Sequence, residues 1–350
     1  MKLGIIGLPL AGKATIFEAL AGARGEGPQQ KGGRSDQRIG TVRVADERVD
    51  YLSSLYRPKK TTYARVEYLL PSSAGGGGTA PAMPDSGFWA QARACDALIH
   101  VVRNFKGTMG IPPASEADFR TIEEEMIIND LAVVEKKIER MDLDAKRGKK
   151  DEEGLRELMD ACRALLEENR PLRSDPELAR SPELRSFTFL SAKPRLLVIN
   201  NEDEDERFPS WSSPPEPAEV LVVRGSLEKE IASLPPEEAE EFMTAYHIET
   251  SALDRVIRSS YELLDLTSFF TVGEDEVKAW TIPGGATALE AAGVIHSDIQ
   301  QGFIRGEVIS FEELKRFGSL QEAKKAGQLR LEGKEYIVRD GDIVHFRFNV

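Results

Sequence analysis

Residues 1–15 read Met-Lys-Leu-Gly-Ile-Ile-Gly-Leu-Pro-Leu-Ala-Gly-Lys-Ala-Thr, and this stretch decides the fold of the amino-terminal part of the chain. An apolar run ends in the spacing Gly7-x-x-x-x-Gly12-Lys13, and apolar residues from Ile16 onward then recur at helical spacing. The pattern predicts a strand, a loop that cradles phosphate groups and a helix, which together form a P-loop. We therefore expect Gly7, Gly12 and Lys13 to hold nucleotide phosphates.

The position after the lysine departs from the P-loop pattern. A hydroxyl side chain that ligates Mg²⁺ belongs there, and this chain has Ala14. Thr15 does not replace it, because one step along a helix turns a side chain by about 100°. Ala14 and Thr15 are still predicted to lie against the phosphates, but the metal ligand is missing.

Composition limits the classes of function. A length of 350 residues predicts two or three domains, and a net charge of -13 argues against a broadly cationic surface that wraps nucleic acid, while leaving room for a local basic patch. The cysteines, Cys95 and Cys162, fit no metal-ligand spacing and favour a reducing compartment, so we predict a cytoplasmic protein. No apolar run is long enough to predict a membrane span.

The segment that should contain the second metal ligand also lacks it. A nucleotide hydrolase of this class ends its second strand in Asp-x-x-Gly, whereas this strand ends in Leu70-Pro71-Ser72-Ser73, with Leu70 at the carboxylate position. Two segments without periodicity, 23–36 and 72–86, are predicted loops. The glycines at 75–78 are read as a linker or degraded switch loop, with a phosphate-binding loop as the alternative.

A buried parallel strand is predicted at 97–102, where the residues are apolar except for His100. A histidine in this setting is either a general base or a core residue. The apolar flanks favour the core residue.

The middle of the chain predicts a pair of antiparallel helices. Apolar residues step by four and three, the seam of a coiled coil, and the same seam resumes after a break at 142–151. The residues of this seam are Ile127, Leu131, Val134, Ile138, Met141, Leu155, Leu158, Cys162 and Leu165. The break carries Lys146, Arg147, Lys149 and Lys150, a basic tip that either contacts RNA phosphates or is simply solvated.

Residues that read a nucleotide base are predicted after the strand at 195–199. In P-loop switch proteins an asparagine and an acid three residues later do this, and Asn200 with Asp203 fits the spacing, as does Asn201 with Glu204. Ser251-Ala252 resembles the strand-end pair whose backbone touches the base. These matches rest on the position of the residues in the chain and are not diagnostic of a base-binding site.

The last 84 residues have a different pattern of apolar and polar residues. Alternation at 277–282, 304–309 and 343–348, with a short helix at 288–292, predicts a small mixed sheet packed on one helix.

The carboxyl-terminal residues resemble one family closely. The matching stretches are Ala279-Trp280-Thr281-Ile282-Pro283, Ala291-Ala292-Gly293-Val294-Ile295-His296, Gly302-Phe303-Ile304-Arg305, Glu307-Val308-Ile309, Leu331 to Val338, Asp340-Gly341-Asp342 and His345 to Val350. They are similar to the end of the YchF proteins, the Obg-like ATPases, and the resemblance covers the whole chain in order.

The resemblance implies a fold and four segments. An α/β P-loop NTPase domain would occupy 1–118 and 183–266, an inserted antiparallel coiled-coil arm 119–182, and a ubiquitin-like TGS domain, an α+β β-grasp fold, 267–350. It also implies a cytoplasmic, translation-associated NTPase that binds ATP or GTP with Mg²⁺ and contacts the ribosome, tRNA or rRNA. We expect no membrane partner and favour a monomer.

The departures from the family lie in the machinery for hydrolysis. The family's Gly-Lys-Ser-Thr is Gly12-Lys13-Ala14-Thr15 here, its Asp-Ile-Ala-Gly is Leu70 to Ser73, and its switch histidine has no counterpart at 74–87. The base-reading motif is altered too, so the sequence does not decide whether the protein prefers ATP or GTP.

Nucleotide binding can therefore persist where nucleotide hydrolysis is lost. Charge-assisted hydrogen bonds of roughly 1.5–3 kcal/mol each support micromolar affinity, whereas each lost preorganised element costs about a hundredfold in rate. The leading interpretation is a nucleotide-binding protein with weak or absent hydrolysis. A nucleotide-independent interaction scaffold and a conventional ATPase activated by its partner are the alternatives.

Overall fold

The structure, a computed structural model, describes residues 1–24, 29–30, 37–72, 83–107, 110–148, 154–213, 219–246, 248 and 250–349. Most of the two predicted loops, at 25–28, 31–36 and 73–82, lies outside the described residues, and so do Lys149 and Lys150 of the predicted basic tip.

The secondary structure alternates between strands and helices along the first two thirds of the chain. The strands are β1 (Lys2–Ile6), β2 (Gln29–Gln30), β3 (Arg38–Arg43), β4 (Lys60–Thr62), β5 (Arg65–Leu70), β6 (Ala97–Asn104), β7 (Arg195–Asn201), β8 (Val220–Val223), β9 (Leu266–Thr271), β10 (Glu276–Pro283), β11 (Phe303–Ser310), β12 (Arg330–Glu332) and β13 (Asp342–Phe348). The α-helices are α1 (Lys13–Arg24), α2 (Glu47–Tyr56), α3 (Ser86–Arg93), α4 (Ser115–Lys146), α5 (Leu155–Glu167), α6 (Pro176–Arg180), α7 (Gly225–Ser233), α8 (Pro236–Ala245), α9 (Ala252–Leu263), α10 (Ala288–Ile295), α11 (Ser297–Gln301), α12 (Phe311–Phe317) and α13 (Leu320–Lys325). Among the described residues, none of the helices combines the length and the hydropathy of a membrane-spanning segment.

The chain forms two compact units. The first comprises Met1–Val42 and Glu67–Ser260, and the second comprises Arg43–Val66 and Tyr261–Val350. The prediction of an α/β domain followed by a carboxyl-terminal domain is confirmed at this level. The finer division into four segments stays a prediction.

The first unit contains a sheet with the strand order β2-β3-β5-β1-β6-β7-β8. Strands β5, β1, β6, β7 and β8 run parallel. Every residue of β7 is buried, as expected for a parallel strand covered on both faces. Because the carboxyl ends of parallel strands meet at one edge, the segments after β1, β5, β6, β7 and β8 come together there, where ligands of open α/β sheets bind.

Helices α4 and α5 pack on each other through the predicted apolar seam. Ile127, Val134, Ile138 and Met141 of α4 lie in one buried cluster with Leu155 and Cys162 of α5. A buried ion pair anchors the helices to the rest of the unit, because Asp130 accepts the amide N–H groups of Leu190 and Ser191 and lies 2.8 Å from an Arg93 nitrogen. The pairing of these helices follows from the seam spacing.

The second unit contains a sheet with the order β12-β11-β13-β9-β10-β4. Neighbouring residues point to opposite faces of a strand, and both faces are buried: Phe270 and Ile343 lie in one apolar cluster, Phe269 and Val344 in another. The expectation of a sheet on one helix was too simple, because α10 contributes to only one of these clusters.

Residues 43–66 differ from the sequence prediction, which placed them in the P-loop domain. Their apolar residues Val49, Leu52 and Ala64 pack with Phe270, and β4 pairs with β10. Helix α2 begins at the Asp46 cap, whose carboxylate accepts the Arg48 amide N–H. The second unit therefore takes a strand and a helix from the first part of the chain.

Candidate functional site

The loop between β1 and α1 has the backbone of a phosphate cradle. Gly7 has φ 144° and Gly12 has φ 88°, conformations that residues with a Cβ rarely adopt. A Cβ on Gly7 would lie 2.2 Å from the Val101 carbonyl oxygen, and one on Gly12 would lie 2.2 Å from Asn200 Nδ2. Both glycines are therefore required by close packing of the loop against β6 and β7.

Lys13 turns back onto this loop. Its Nζ donates to the carbonyl oxygens of Gly7 at 2.8 Å and Leu8 at 2.7 Å. Burial lowers the pKa of Lys13 to about 8, because little water remains to solvate the ammonium group. An anion bound in the cradle would replace these neutral carbonyl acceptors with an oppositely charged partner for the ammonium group.

The two positions for a metal ligand lie in the segment after β1 and at the end of its neighbour β5. Ala14 is in the first turn of α1, which follows β1 and the phosphate loop, and Leu70 ends β5, which pairs with β1. Thr15 is the next residue of the helix, one step of about 100° around its axis. A methyl group and an isobutyl group offer no oxygen, so these residues do not fit Mg²⁺. The described ranges contain no cluster of three or more His, Cys, Asp or Glu side chains able to hold a metal.

Asn200 connects the phosphate loop to α7. Its Nδ2 donates to the Ala11 carbonyl oxygen at 3.1 Å, and its Oδ1 accepts the Gly225 amide N–H at 3.0 Å. The side chain is 4% exposed. Both polar ends of Asn200 are thus used within the protein, and its predicted role of facing a base stays a prediction.

The other predicted base-reading residues surround the start of α7 and α9. Asp203 Oδ1 accepts the Leu227 amide N–H at 3.2 Å. Ser251 donates its hydroxyl to Glu228, and the amide N–H of Ala252 donates to the same carboxylate at 2.8 Å. The Ala252 amide, the group predicted to touch the base, therefore already has a carboxylate partner.

Sequence reasoning missed the turn from β8 into α7. Arg224 and Gly225 follow β8 at the same sheet edge as Asn200, and Glu228, 2% exposed, lies one turn later. The signal was an apolar strand, Val220–Val223, followed directly by a glycine at a helix start. A cavity of about 390 Å³ adjoins this turn and is lined by Glu206, Val222, Arg224, Glu228, Ile248, Thr250, Ala252 and Arg255.

His100 is a core residue. It is 1% exposed and stacks on Phe119, with ring centroids 5.4 Å apart. Burial lowers its pKa, which keeps the imidazole neutral. Nearby, Glu123 of α4 binds the guanidinium groups of Arg173 and Arg195, so the surrounding charges are paired with one another and not aimed at the loop.

The sequence and the fold have similar counterparts among known proteins. The family YchF-GTPase_C, described as a protein of unknown function, matches residues 266–349. The chain is 37% identical to the ribosome-binding ATPase YchF of Bacillus subtilis over 100% of both chains. It is 38% identical to the ribosome-binding ATPase YchF of Pasteurella multocida over 100% of this chain and 99% of that one.

Two solved structures are also similar. The Schizosaccharomyces pombe YchF GTPase superposes with a TM-score of 0.82 and 28% identity, over 99% of this chain and 97% of that one. A GTP binding protein from Pyrococcus horikoshii OT3 gives a TM-score of 0.58 at 17% identity over 100% of both chains, which shows a shared fold alone.

Proposed function

The chain belongs to the YchF family, and from this membership we propose that it binds a purine nucleotide, ATP or GTP, and hydrolyses it weakly or not at all. The family predicted from the sequence is thereby confirmed. We further propose that α4 and α5 form the family's coiled-coil arm, that 267–350 form a ubiquitin-like TGS domain, and that the protein is a cytoplasmic monomer. Relatives carry the name ribosome-binding ATPase, which supports a ribosomal partner. That the contact is made through rRNA or tRNA is part of the proposal.

The observation that carries the loss of hydrolysis is the pair Ala14 and Leu70. They occupy the first turn after β1 and the end of its neighbour β5, the two places from which a P-loop protein holds its metal. Without either oxygen, the protein contributes no ligand to a metal ion at the terminal phosphate. Losing one such element commonly costs about a hundredfold in rate, so losing both makes turnover very slow.

Phosphate binding has separate support. The positive φ angles of Gly7 and Gly12 shape the loop. The amide N–H groups of the loop and of the first turn of α1 can donate hydrogen bonds to an anion. Lys13 adds a cation within reach of the same place. Charge-assisted bonds of roughly 1.5–3 kcal/mol each then support micromolar binding without a protein-bound metal.

Calorimetry with ATP and with GTP, each with and without Mg²⁺, tests this proposal. We expect micromolar binding that changes little with Mg²⁺, and a loss of roughly ten- to hundredfold in Lys13→Met. Arg258→Met, which removes an exposed cation of α9, is the matched control and should bind normally. Turnover that depends on Mg²⁺ and is as fast as that of an ordinary family member, with or without added ribosomes, would contradict the weak-hydrolysis proposal.

A nucleotide-independent scaffold is the second candidate, and one contact favours it. Lys13 already has two carbonyl partners within the loop, so the loop is satisfied without phosphate. Absence of ATP and GTP binding at millimolar concentration would select this function.

A further inference from the structure

The segment that follows β7 is fixed to the parallel sheet at its start. Asn201, the last residue of β7, donates its side-chain amide hydrogens to the carbonyl oxygens of Asp205 at 2.8 Å and Arg207 at 2.9 Å. We call residues 202–213 the strap. The first half of the strap, which contains Asp203, is therefore held at the carboxyl edge of the sheet, where ligands of open α/β sheets bind.

The second half of the strap is clamped on the first turn of α4. Trp211 Nε1 donates to Ser115 Oγ at 2.9 Å. The amide N–H and the hydroxyl group of Ser212 donate to the two carboxylate oxygens of Glu116 at 2.8 Å and 2.7 Å. Hydrogen bonds from Ser212 lower the pKa of Glu116 to about 2, so the carboxylate is ionised and the clamp is complete at neutral pH.

Three residues connect the two halves. Phe208, Pro209 and Ser210 lie between Arg207 and Trp211, and four residue steps reach at most roughly 14 Å. The proline ring fixes one φ angle of this connection. Phe208 also packs against Trp211, with ring centroids 5.0 Å apart. Because so short a connection has little slack, a displacement of one half of the strap displaces the other half.

We propose, on the basis of the nucleotide binding proposed above, that the strap positions Asp203 for the base of the nucleotide and couples base binding to the docking of α4. The Asp203 carboxylate accepts the Leu227 amide N–H at 3.2 Å, so its direction is set by the strap on one side and by α7 on the other. Coupling between two sites is reciprocal. A base that orders the strap thus strengthens its hold on α4, and loss of the clamp on α4 weakens binding of the base.

Calorimetry on the full chain with ATP, GTP and inorganic tripolyphosphate tests this coupling. The test variant is Glu116→Ala, which releases Ser212 and leaves the sheet edge untouched. It should bind ATP or GTP about five- to thirtyfold more weakly, because about one residue of strap backbone must then be ordered on binding. Tripolyphosphate has no base, so its affinity should not change. A general loss of stability would weaken all three ligands alike.

A second variant and a matched control separate the clamp from the charge. Ser115→Ala removes the acceptor of Trp211 without changing the net charge, and it should show the same loss for ATP or GTP. Glu139→Ala makes the same charge change as Glu116→Ala at an exposed position roughly 35 Å further along α4, and it should bind all three ligands normally.

Hydrogen exchange measures the coupling from the other side. In the wild type, ATP or GTP should slow amide exchange in the first turns of α4, and tripolyphosphate should not. In Glu116→Ala, the effect of the nucleotide on these amides should be lost.

Unchanged ATP and GTP affinity in Glu116→Ala, or an equal loss for tripolyphosphate, would overturn the coupling and leave nucleotide binding by the wild type intact. A loss in Glu116→Ala without one in Ser115→Ala would trace the effect to the missing charge, and would overturn the coupling too. A wild type that binds neither ATP nor GTP would refute the proposed nucleotide binding itself, and the coupling with it.

Discussion

Replacing Asn200 by alanine tests how the phosphate loop is held. The side chain bridges the Ala11 carbonyl oxygen and the Gly225 amide, and at 4% exposure it is inside the protein. Asn200→Ala leaves both groups without this partner. Each buried unsatisfied group costs about 1–3 kcal/mol, so we expect the free energy of unfolding to fall by about 2–6 kcal/mol.

The same substitution should weaken phosphate binding. Without the hydrogen bond from the Asn200 side chain, the loop at Ala11 and Gly12 must be ordered when the ligand binds. Ordering the backbone of one residue costs about 1–2 kcal/mol. That corresponds to a loss of about five- to thirtyfold in affinity. Because the loss arises in the loop, it should be equal for ATP, GTP and inorganic tripolyphosphate, which has no base.

Asn201→Ala is the matched control. Asn201 is also buried, but its amide donates to the carbonyl oxygens of Asp205 and Arg207, and its Oδ1 accepts from Asn104. It should reduce stability by a comparable amount and leave tripolyphosphate affinity unchanged. Urea unfolding and calorimetry measure the two quantities on the same samples.

Asn200 does not hold the loop for phosphate if Asn200→Ala keeps its affinity for tripolyphosphate while its preference between ATP and GTP changes. Asn200 would then act on the base. A loss of tripolyphosphate affinity in Asn201→Ala as large as in Asn200→Ala would also refute a role for Asn200 in holding the loop, since the effect would then come from general destabilisation.

Three other substitutions test other parts of the first unit. Burial lowers the pKa of Lys13 from 10.5 to about 8, so between these pH values the folded protein binds fewer protons than the unfolded protein. The free energy of unfolding of the wild type should therefore increase with pH across that window, and that of Lys13→Met should not. Leu10→Asn should raise the free energy of unfolding by about 1 kcal/mol in urea, because Leu10 has φ 64° and is 63% exposed. Glu123→Gln should cost about 3–5 kcal/mol by the same assay, because it leaves Arg173 and Arg195 buried without a carboxylate. The arginines hold the pKa of Glu123 below its usual value, so its contribution should be complete above about pH 4.5 and be lost on acidification.

Local patterns in the sequence predicted the elements that position the site. The apolar run before Gly7 and the apolar strand at 195–199 lie in the parallel sheet as expected, and the helical spacing after Lys13 corresponds to α1. The apolar seam of α4 was also predicted correctly, because the spacing of its apolar residues is a local pattern within one helix. Each of these signals is contained within a few turns or a single strand.

What the sequence did not predict depends on contacts between distant segments. Helix α2 lies with the carboxyl-terminal sheet because Val49 and Leu52 pack on Phe270, and Arg48 binds Asp340, 292 positions away. No local period contains that information. The same holds for Asn200, whose partners are 189 positions before it and 25 after it.

The structure also changes what the loop residues themselves indicate. Gly7 and Gly12 are required by Val101 and Asn200 whether or not phosphate ever binds, so the glycines alone do not argue for a nucleotide. Lys13 is different, because burying an ammonium group has a desolvation cost that two carbonyl oxygens only partly offset. A methionine would fill the same space without that cost. If Lys13→Met is more stable than the wild type and binds nucleotide more weakly, the lysine is kept for an anion. If Lys13→Met is less stable, the two carbonyl bonds explain the lysine, and the case for a nucleotide site rests on family membership alone.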